Sequence, residues 1–309
     1  MNKKFNIALV GNAPVEKHGI LNAMLDDETL QEMCDIQLYG ADDMAIKDAL
    51  HDAIDDYLDG VISGIVCLPT NEPLELTIKD IMGEEAKDVM PLYIHSTSRM
   101  ASATSSEDIS TEGLTNAVKT LNKALKRDLS ILNPRIAVTS VGDEISATEG
   151  SADITVIAPT VSELVKGGIQ VFGPIAAKKI FDNDDFMAFD AVMTMRKGQC
   201  HEEFCKATNE ETVTLFAGIE IPLVQAQAEG MVQAISIAND TARNRKVYDI
   251  PFANPLQKLY HERKEDGDKA RFAVKKKGFN PAEHRRENVN YIKANPTPNT
   301  EGIKEDKTE

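Results

Sequence analysis

Short apolar runs alternate with longer amphipathic ones over the first seventy residues. Ile7-Ala-Leu-Val10 is closed by Gly11-Asn-Ala-Pro14, and an apolar run of that length bounded by turn residues predicts a buried strand. A helix is expected over Glu16–Met33 and a short strand over Ile36–Tyr39. From Met44 to Leu58 the apolar residues Ile46, Ala49, Ala53, Ile54 and Tyr57 recur at helical spacing with acids opposite, and Gly60 stops the helix. Val61–Leu68 is a second continuous apolar run, closed by Pro69-Thr-Asn71. Strand, helix and strand in this order make a βαβ unit.

The pattern then weakens. Glu72–Asp88 is polar and acid-rich, with Ile78, Ile81 and Met82 as its few anchors. Pro91–His95 predicts a strand. Ser96–Ser110, rich in Ser and Thr, predicts a solvated loop, with a phosphate cradle made by its hydroxyls as the alternative. Thr111–Leu132 carries the longest helical stripe, Leu114, Val118, Leu121, Leu125 and Leu132, stopped by Asn133-Pro134. The stretch Pro134–Gln199 organises the rest: an apolar run Ile136–Val141, a helix, a run Ile169–Phe172, a Gly173-Pro174 turn, and Phe189–Met195. Helices alternating with β-rich runs predict an α/β fold whose sheet is parallel and covered on both faces. Ligands of such sheets sit beyond the carboxyl ends of the strands. Ser140–Glu149, Gly173–Ala177 and Arg196–His201 are therefore the stretches expected to carry chemistry. A mixed segment follows Gln199, then a strand Thr212–Ala217 and a helix striped by Met231, Ile235, Ala238 and Ala242. Beyond about His261 the chain is charged, Pro- and Asn-bearing and poor in apolar residues, which predicts a mobile tail.

At 309 residues the chain can bury a large core in one or two domains. No apolar run reaches the roughly 18 residues of a membrane span. The apolar part after Met1-Asn-Lys-Lys-Phe5 is too short for an export signal and is expected to be the first strand. Cys34, Cys67, Cys200 and Cys205 form no disulfide pattern, so reduced thiols and a cytoplasmic location are expected. The net charge of −16 disfavours nucleic acid as a partner of the body. It is unevenly spread, however: Lys269–Arg286 carries +6, leaving −22 on the remainder. That basic stretch can be a solvated linker, can dock on the acidic body, or can serve as an arm for an acidic partner.

Cys200-His-Glu-Glu-Phe-Cys205 holds metal-competent side chains, but no second ligand pair accompanies them, so no metal is expected there. His18, His51 and His95 lack a carboxylate or serine partner at a telling spacing. There is no Gly-x-Gly-x-x-Gly and no phosphate-binding loop motif, and Gly167-Gly168 is a helix stop.

Five segments in order resemble the 4-hydroxythreonine-4-phosphate dehydrogenase family of pyridoxal phosphate biosynthesis, between residue 5 and about 262. They are Asp59–Asn71, Asn133–Val138, Val171–Ala177, Phe189–Met195 and Asn254–Tyr260. The resemblance implies a two-domain α/β/α fold with mostly parallel sheets, of the isocitrate/isopropylmalate dehydrogenase kind. Its domains would be 1–70 plus about 227–262 and 71–226, with 263–309 as the mobile charged tail. It also implies an active site between the domains, NAD, a divalent metal held by histidines, and a homodimer. The departures are as informative. The family's Asn-Pro-His-Ala-Gly-Glu stands here as Val141–Ser146, which puts Glu144 near the first ligand position. Its Tyr-His-Asp-Gln-Gly stands as Arg196–Cys200, which puts Lys197 at the second, with Gln199 beside it. The segment carrying the third histidine has no counterpart between Glu72 and Pro91, and Glu72 replaces a lysine. The stretch associated with substrate and NAD, expected after Ile221–Val224, is missing. Lys197 could act as a fixed cation or Schiff-base lysine, or stand solvated at a strand end; with Glu144 and Gln199 it completes the catalytic candidates. The expectation is a divergent, shortened family member that has lost the metal, substrate-phosphate and NAD determinants and serves as a binding or assembly protein, a pseudoenzyme. The alternative is an active NAD-dependent oxidoreductase of a phosphorylated hydroxy-amino acid with relocated ligands, needing NAD and a divalent metal. The partner is expected to be a second copy or an intact paralogue.

Overall fold

A computed structural model of the chain describes residues 4–11, 28–40, 45–69, 73–95, 98–104, 109–182, 184–208, 213–227 and 230–250. They belong to a compact unit, Met1–Ile250; Pro251–Glu309 form a second unit. The basic stretch Lys269–Arg286, the Asn254–Tyr260 segment, His18 and most of the helix expected over Glu16–Met33 lie outside the described residues.

The first unit is three-layered. β1 (Phe5–Val10), α1 (Glu28–Met33), β2 (Cys34–Tyr39), α2 (Ile46–Leu58) and β3 (Gly64–Cys67) open the chain. Then come α3 (Leu74–Met82), β4 (Met90–Ile94), β5 (Arg99–Thr104) and α4 (Thr111–Arg127). β6 (Arg135–Thr139), α5 (Ala158–Lys166), β7 (Gln170–Ile175) and β8 (Ala191–Arg196) follow, and α6 (His201–Thr208), β9 (Val213–Ala217), β10 (Leu223–Gln225) and α7 (Met231–Tyr248) close it. One sheet runs β2-β1-β3-β10-β9-β4-β5-β8-β6-β7. Its two wings, β2-β1-β3-β10 and β5-β8-β6-β7, are each parallel, and β9 and β4 join them through antiparallel pairs. The mostly parallel α/β architecture read from the sequence is the one observed. Because the wings point in opposite directions, the carboxyl ends of β5, β8, β6 and β7 lie at the end where β4 begins.

Alternation along the strands sorts side chains between two apolar layers. Ile7, Leu9, Val66, Val138 and Met193 join the stripes of α4, α5 and α7 on one face. Ala8, Val10, Ile65 and Cys67 meet α2 and α3 on the other. Further along that second layer, Met100, Ala137 and Val192 pack with Phe181, Phe186 and Phe204.

Five segments differ from expectation. The Gly173-Pro174 turn is instead an irregularity within β7, which stays paired with β6 on both sides of it, Ala137 opposite Phe172 and Thr139 opposite Ile175. Ser96–Ser110 is not wholly a loop, because Arg99–Thr104 is a strand at the centre of the sheet. Met100 and Ala101 are buried, and Ser102 Oγ hydrogen-bonds Thr194 Oγ1 across to β8 at 2.9 Å. Flanking strands on both sides supply the burial that an apolar run would have announced. Glu72–Asp88 contains α3, which buries Leu74 and Ile78. The mixed segment after Gln199 is α6, anchored by the fully buried Phe204. α4 is capped by Ser110, whose Oγ accepts from Gly113 N at 3.0 Å, but it ends at Arg127. Leu132, 84 % exposed, is outside its stripe.

One buried ion pair pins the last helix. Arg245 Nε and Nη2 donate to the two carboxylate oxygens of Asp128 at 2.7 and 2.9 Å, with side chains only 6 % and 4 % exposed. Arg245 Nη1 donates to Glu220 O, and Asn244 Nδ2 donates to Asp128 O at 2.7 Å.

Candidate functional site

The carboxyl ends of β5 and β8 open into a cavity of about 260 Å³, lined among others by Glu75, Lys79, Lys87, Asp88, Ser102 and Lys197. Helix α3 presents Glu75 and Lys79 one turn apart, on the same face. The Glu75 side chain is 12 % exposed and accepts from Lys79 Nζ at 2.9 Å and from Lys197 Nζ, reaching in from the end of β8, at 3.3 Å. Burial alone would raise the Glu75 carboxyl. The hydrogen bond and charge of Lys79 and then those of Lys197 outweigh it and hold the group below the ordinary carboxylate range.

This has a pH consequence. A depressed carboxylate adds stability that is fully present above its unfolded pKa, about 4.3, and lost as pH falls through the lower folded value. The stability gap between the wild type and Glu75→Gln is therefore expected to be constant near neutrality and to close on acidification below about pH 4. Urea unfolding at a series of pH values measures it; a gap that widened in acid would contradict the assignment.

Beside this cavity a hydrogen-bond clasp fixes the loops after β6 and β8. Gln199 Oε1 accepts from Met195 N at 2.9 Å and Arg196 N at 3.3 Å, while Nε2 donates to Ser140 O at 2.9 Å and Val141 O at 3.2 Å. Asp153, nearly fully buried, accepts from Val141 N at 2.9 Å and Ser146 N at 2.7 Å. Ser140 Oγ donates to Gly142 O at 2.6 Å and accepts from Ala177 N at 3.1 Å. Both ends of the Gln199 amide are engaged, so it positions backbone. Glu144 stands on the surface, 3.1 Å from Lys179 in a pair with both partners more than half exposed, worth about 1 kcal/mol or less. The fold thus joins Lys197 to Glu75, a partner that sequence reasoning did not single out, and puts Glu144 and Gln199 to other uses.

The metal-competent motif is taken up locally. Cys200 Sγ faces Ala177 O at 3.5 Å, and burial, followed by the nearby charges of Glu203 and Asp143, pushes its thiol up to about 11. Cys205 Sγ lies 3.8 Å from His201 Nε2, one helical turn apart. His51 Nδ1 sits 3.2 Å from Asp55 in an exposed pair one turn apart, a spacing legible in the sequence; His95 is buried. Among the described residues no three His, Cys, Asp or Glu side chains converge as a metal site. An ammonium group stands where the resemblance would put a second histidine. These donors do not fit a histidine-held divalent ion. Among the described residues no helix is long and apolar enough to cross a membrane.

Comparison with known proteins bears on the same region. The family described as pyridoxal phosphate biosynthetic protein PdxA matches residues 88–243. The 4-hydroxythreonine-4-phosphate dehydrogenase of Bacteroides thetaiotaomicron is 29 % identical over 164 residues, 48 % of this chain and 45 % of that protein. That of Caulobacter vibrioides is 33 % identical over 95 residues, 29 % of this chain and 28 % of that one. The chain thus spans less than half the length of the curated relatives it matches. The crystal structure of a 4-hydroxythreonine-4-phosphate dehydrogenase from Burkholderia phymatum superposes with a TM-score of 0.62 at 15 % identity, covering 78 % of this chain and 99 % of that one. Likeness at that identity concerns the fold.

Proposed function

This chain belongs to the PdxA family of pyridoxal phosphate biosynthetic proteins, and we propose that within it the chain works as a binding or assembly protein for a small anionic ligand, a pseudoenzyme rather than a metal-dependent dehydrogenase. The observation that carries this reading is the cavity at the ends of β5 and β8. It holds the ammonium groups of Lys79 and Lys197 on the carboxylate of Glu75, with Lys87 and Asp88 also in its lining. Three ammonium groups against two carboxylates favour an anion over a divalent cation. Glu75 fixes Lys79 and Lys197, so their charge is already oriented when a ligand arrives. The relatives are named for a phosphorylated hydroxy-amino acid; a phosphate or carboxylate ligand of that size suits this cavity.

The second reading, an active NAD-dependent oxidoreductase with relocated ligands, draws on the retained strands β6 and β8. Calorimetric titration with NAD, with and without zinc or magnesium, separates the two. No NAD affinity in either condition is the expected result; clear affinity together with a metal requirement would overturn the pseudoenzyme reading. We further propose a homodimer, or a heterodimer with an intact paralogue, and a cytoplasmic location with all four thiols reduced. Sedimentation of a stable monomer at micromolar concentration would count against the dimer.

A further inference from the structure

Cys34 and Cys67 lie in the core, and burial pushes their thiols up to about 11 and about 12. Cys200 is half-buried with its thiol likewise raised, and its Sγ faces the carbonyl of Ala177, a group that takes up no proton. Cys205, also half-buried, has a different neighbour. One helical turn back, His201 Nε2 stands 3.8 Å from its Sγ, within reach of a thiol hydrogen bond. The His201 ring packs on that of Tyr93, with 4.8 Å between centroids and a tilt of 55°, which holds it in place. Its other nitrogen, Nδ1, is buried without a partner. Among the described residues, the Cys205 thiol is therefore the hydrogen-bonding group that this imidazole serves.

A nucleophile beside a base whose ring is oriented by a third group is the arrangement that activates a thiol. We propose that Cys205 is a modification site, a thiol that reacts with small two-electron oxidants, a hydroperoxide or a low-molecular-weight disulfide, with His201 carrying its proton. The proton passes to Nε2 as the sulfur attacks, and with no acceptor at Nδ1 to fix a charged ring it is held only in passing. With a peroxide, an S–O bond forms and the O–O bond breaks; the departing hydroxide takes the proton as water and leaves a sulfenic acid. With a disulfide, a new S–S bond forms and the old one breaks; the departing thiolate takes the proton and leaves a mixed disulfide. In both cases the Cys205 sulfur is oxidised and the reagent reduced. The proposal is independent of the binding-protein reading, since none of Tyr93, His201 and Cys205 lines the cavity at Glu75 and Lys197.

The test exposes the full chain, reduced and then freed of reductant, to hydrogen peroxide in one arm and to oxidised glutathione in the other. Peptide mass spectrometry follows each cysteine, with a dimedone probe trapping sulfenic acid. Cys205 is expected to react about tenfold faster than Cys200, or more, in one arm or both, and the arm in which it does so names the oxidant. His201→Gln keeps a polar side chain at the start of α6 and is expected to slow Cys205 about tenfold or more; circular dichroism matching the wild type shows that this variant is folded. The comparison of Cys205 with Cys200 is made within the wild type, so it stands even where the variant fails to fold. The proposal is overturned if Cys205 is untouched in both arms, if Cys200 reacts as fast as Cys205, or if folded His201→Gln reacts at the wild-type rate.

Discussion

Replacing Arg245 by Ala is expected to destabilise the protein by about 3–5 kcal/mol, because it leaves the Asp128 carboxylate charged, buried and unpaired. The pair is bidentate and almost wholly out of water, and the same guanidinium also satisfies Glu220 O. Truncation therefore removes several charge-assisted hydrogen bonds at once. Removing both charges together, as Arg245→Met with Asp128→Leu, is expected to cost far less than either single change, since no charge is then stranded. Urea unfolding of the four proteins in a double-mutant cycle measures this. A single-variant cost under about 1 kcal/mol would mean that water already reaches the pair.

The other large effect belongs to Phe204. Its ring is fully buried and meets Phe181 edge-on at 6.1 Å, and Phe181 in turn lies 5.4 Å from Phe186. Phe204→Ala is expected to cost about 3–5 kcal/mol through lost burial and the cavity left behind, and Phe204→Leu much less. Helix α6 follows directly on the turn carrying Lys197 and Gln199, so the Ala variant should also loosen that turn. Amide exchange across Lys197–Cys200 faster than in the Leu variant is the expected signature.

The parts of the fold that were legible are those whose burial is written into their own residues. β1 and β3 are continuous apolar runs, and α4 declares itself by its stripe. β5 buries Met100 and Ala101 between Ser and Thr, so its position depends on β4 and β8 rather than on its own composition. α3 and α6 bury only two residues each, too few to establish a period. At the site, the position of Lys197 followed from the order of strands. Glu75 did not: it sits in an acid-rich segment where nothing local separates it from Glu84 or Glu85. Asp153 and Gln199 likewise act across distances in sequence that no spacing rule spans. Arg245 and Asp128 did leave a signal. The stripe Met231, Ile235, Ala238, Ala242 continues in step to Arg245, and Leu114, Val118, Leu121, Leu125 continues to Asp128. Opposite charges at two core positions were a pair waiting for the fold to bring them together.

The middle of the sheet is filled last. β9 and β10, at residues 213–225, wedge between β3 and β4, which are finished by Cys67 and Ile94. A chain emerging from the ribosome has therefore made β1 to β8 before it makes β9 and β10, the two strands that connect β3 to β4 across the sheet. Until residue 225 is clear of the exit tunnel, β3 and β4 each present an unpaired edge, and such edges recruit neighbouring chains. Slow translation beyond β8 prolongs that exposure, which makes residues 197–225 the interval of synthesis in which this protein most needs a chaperone.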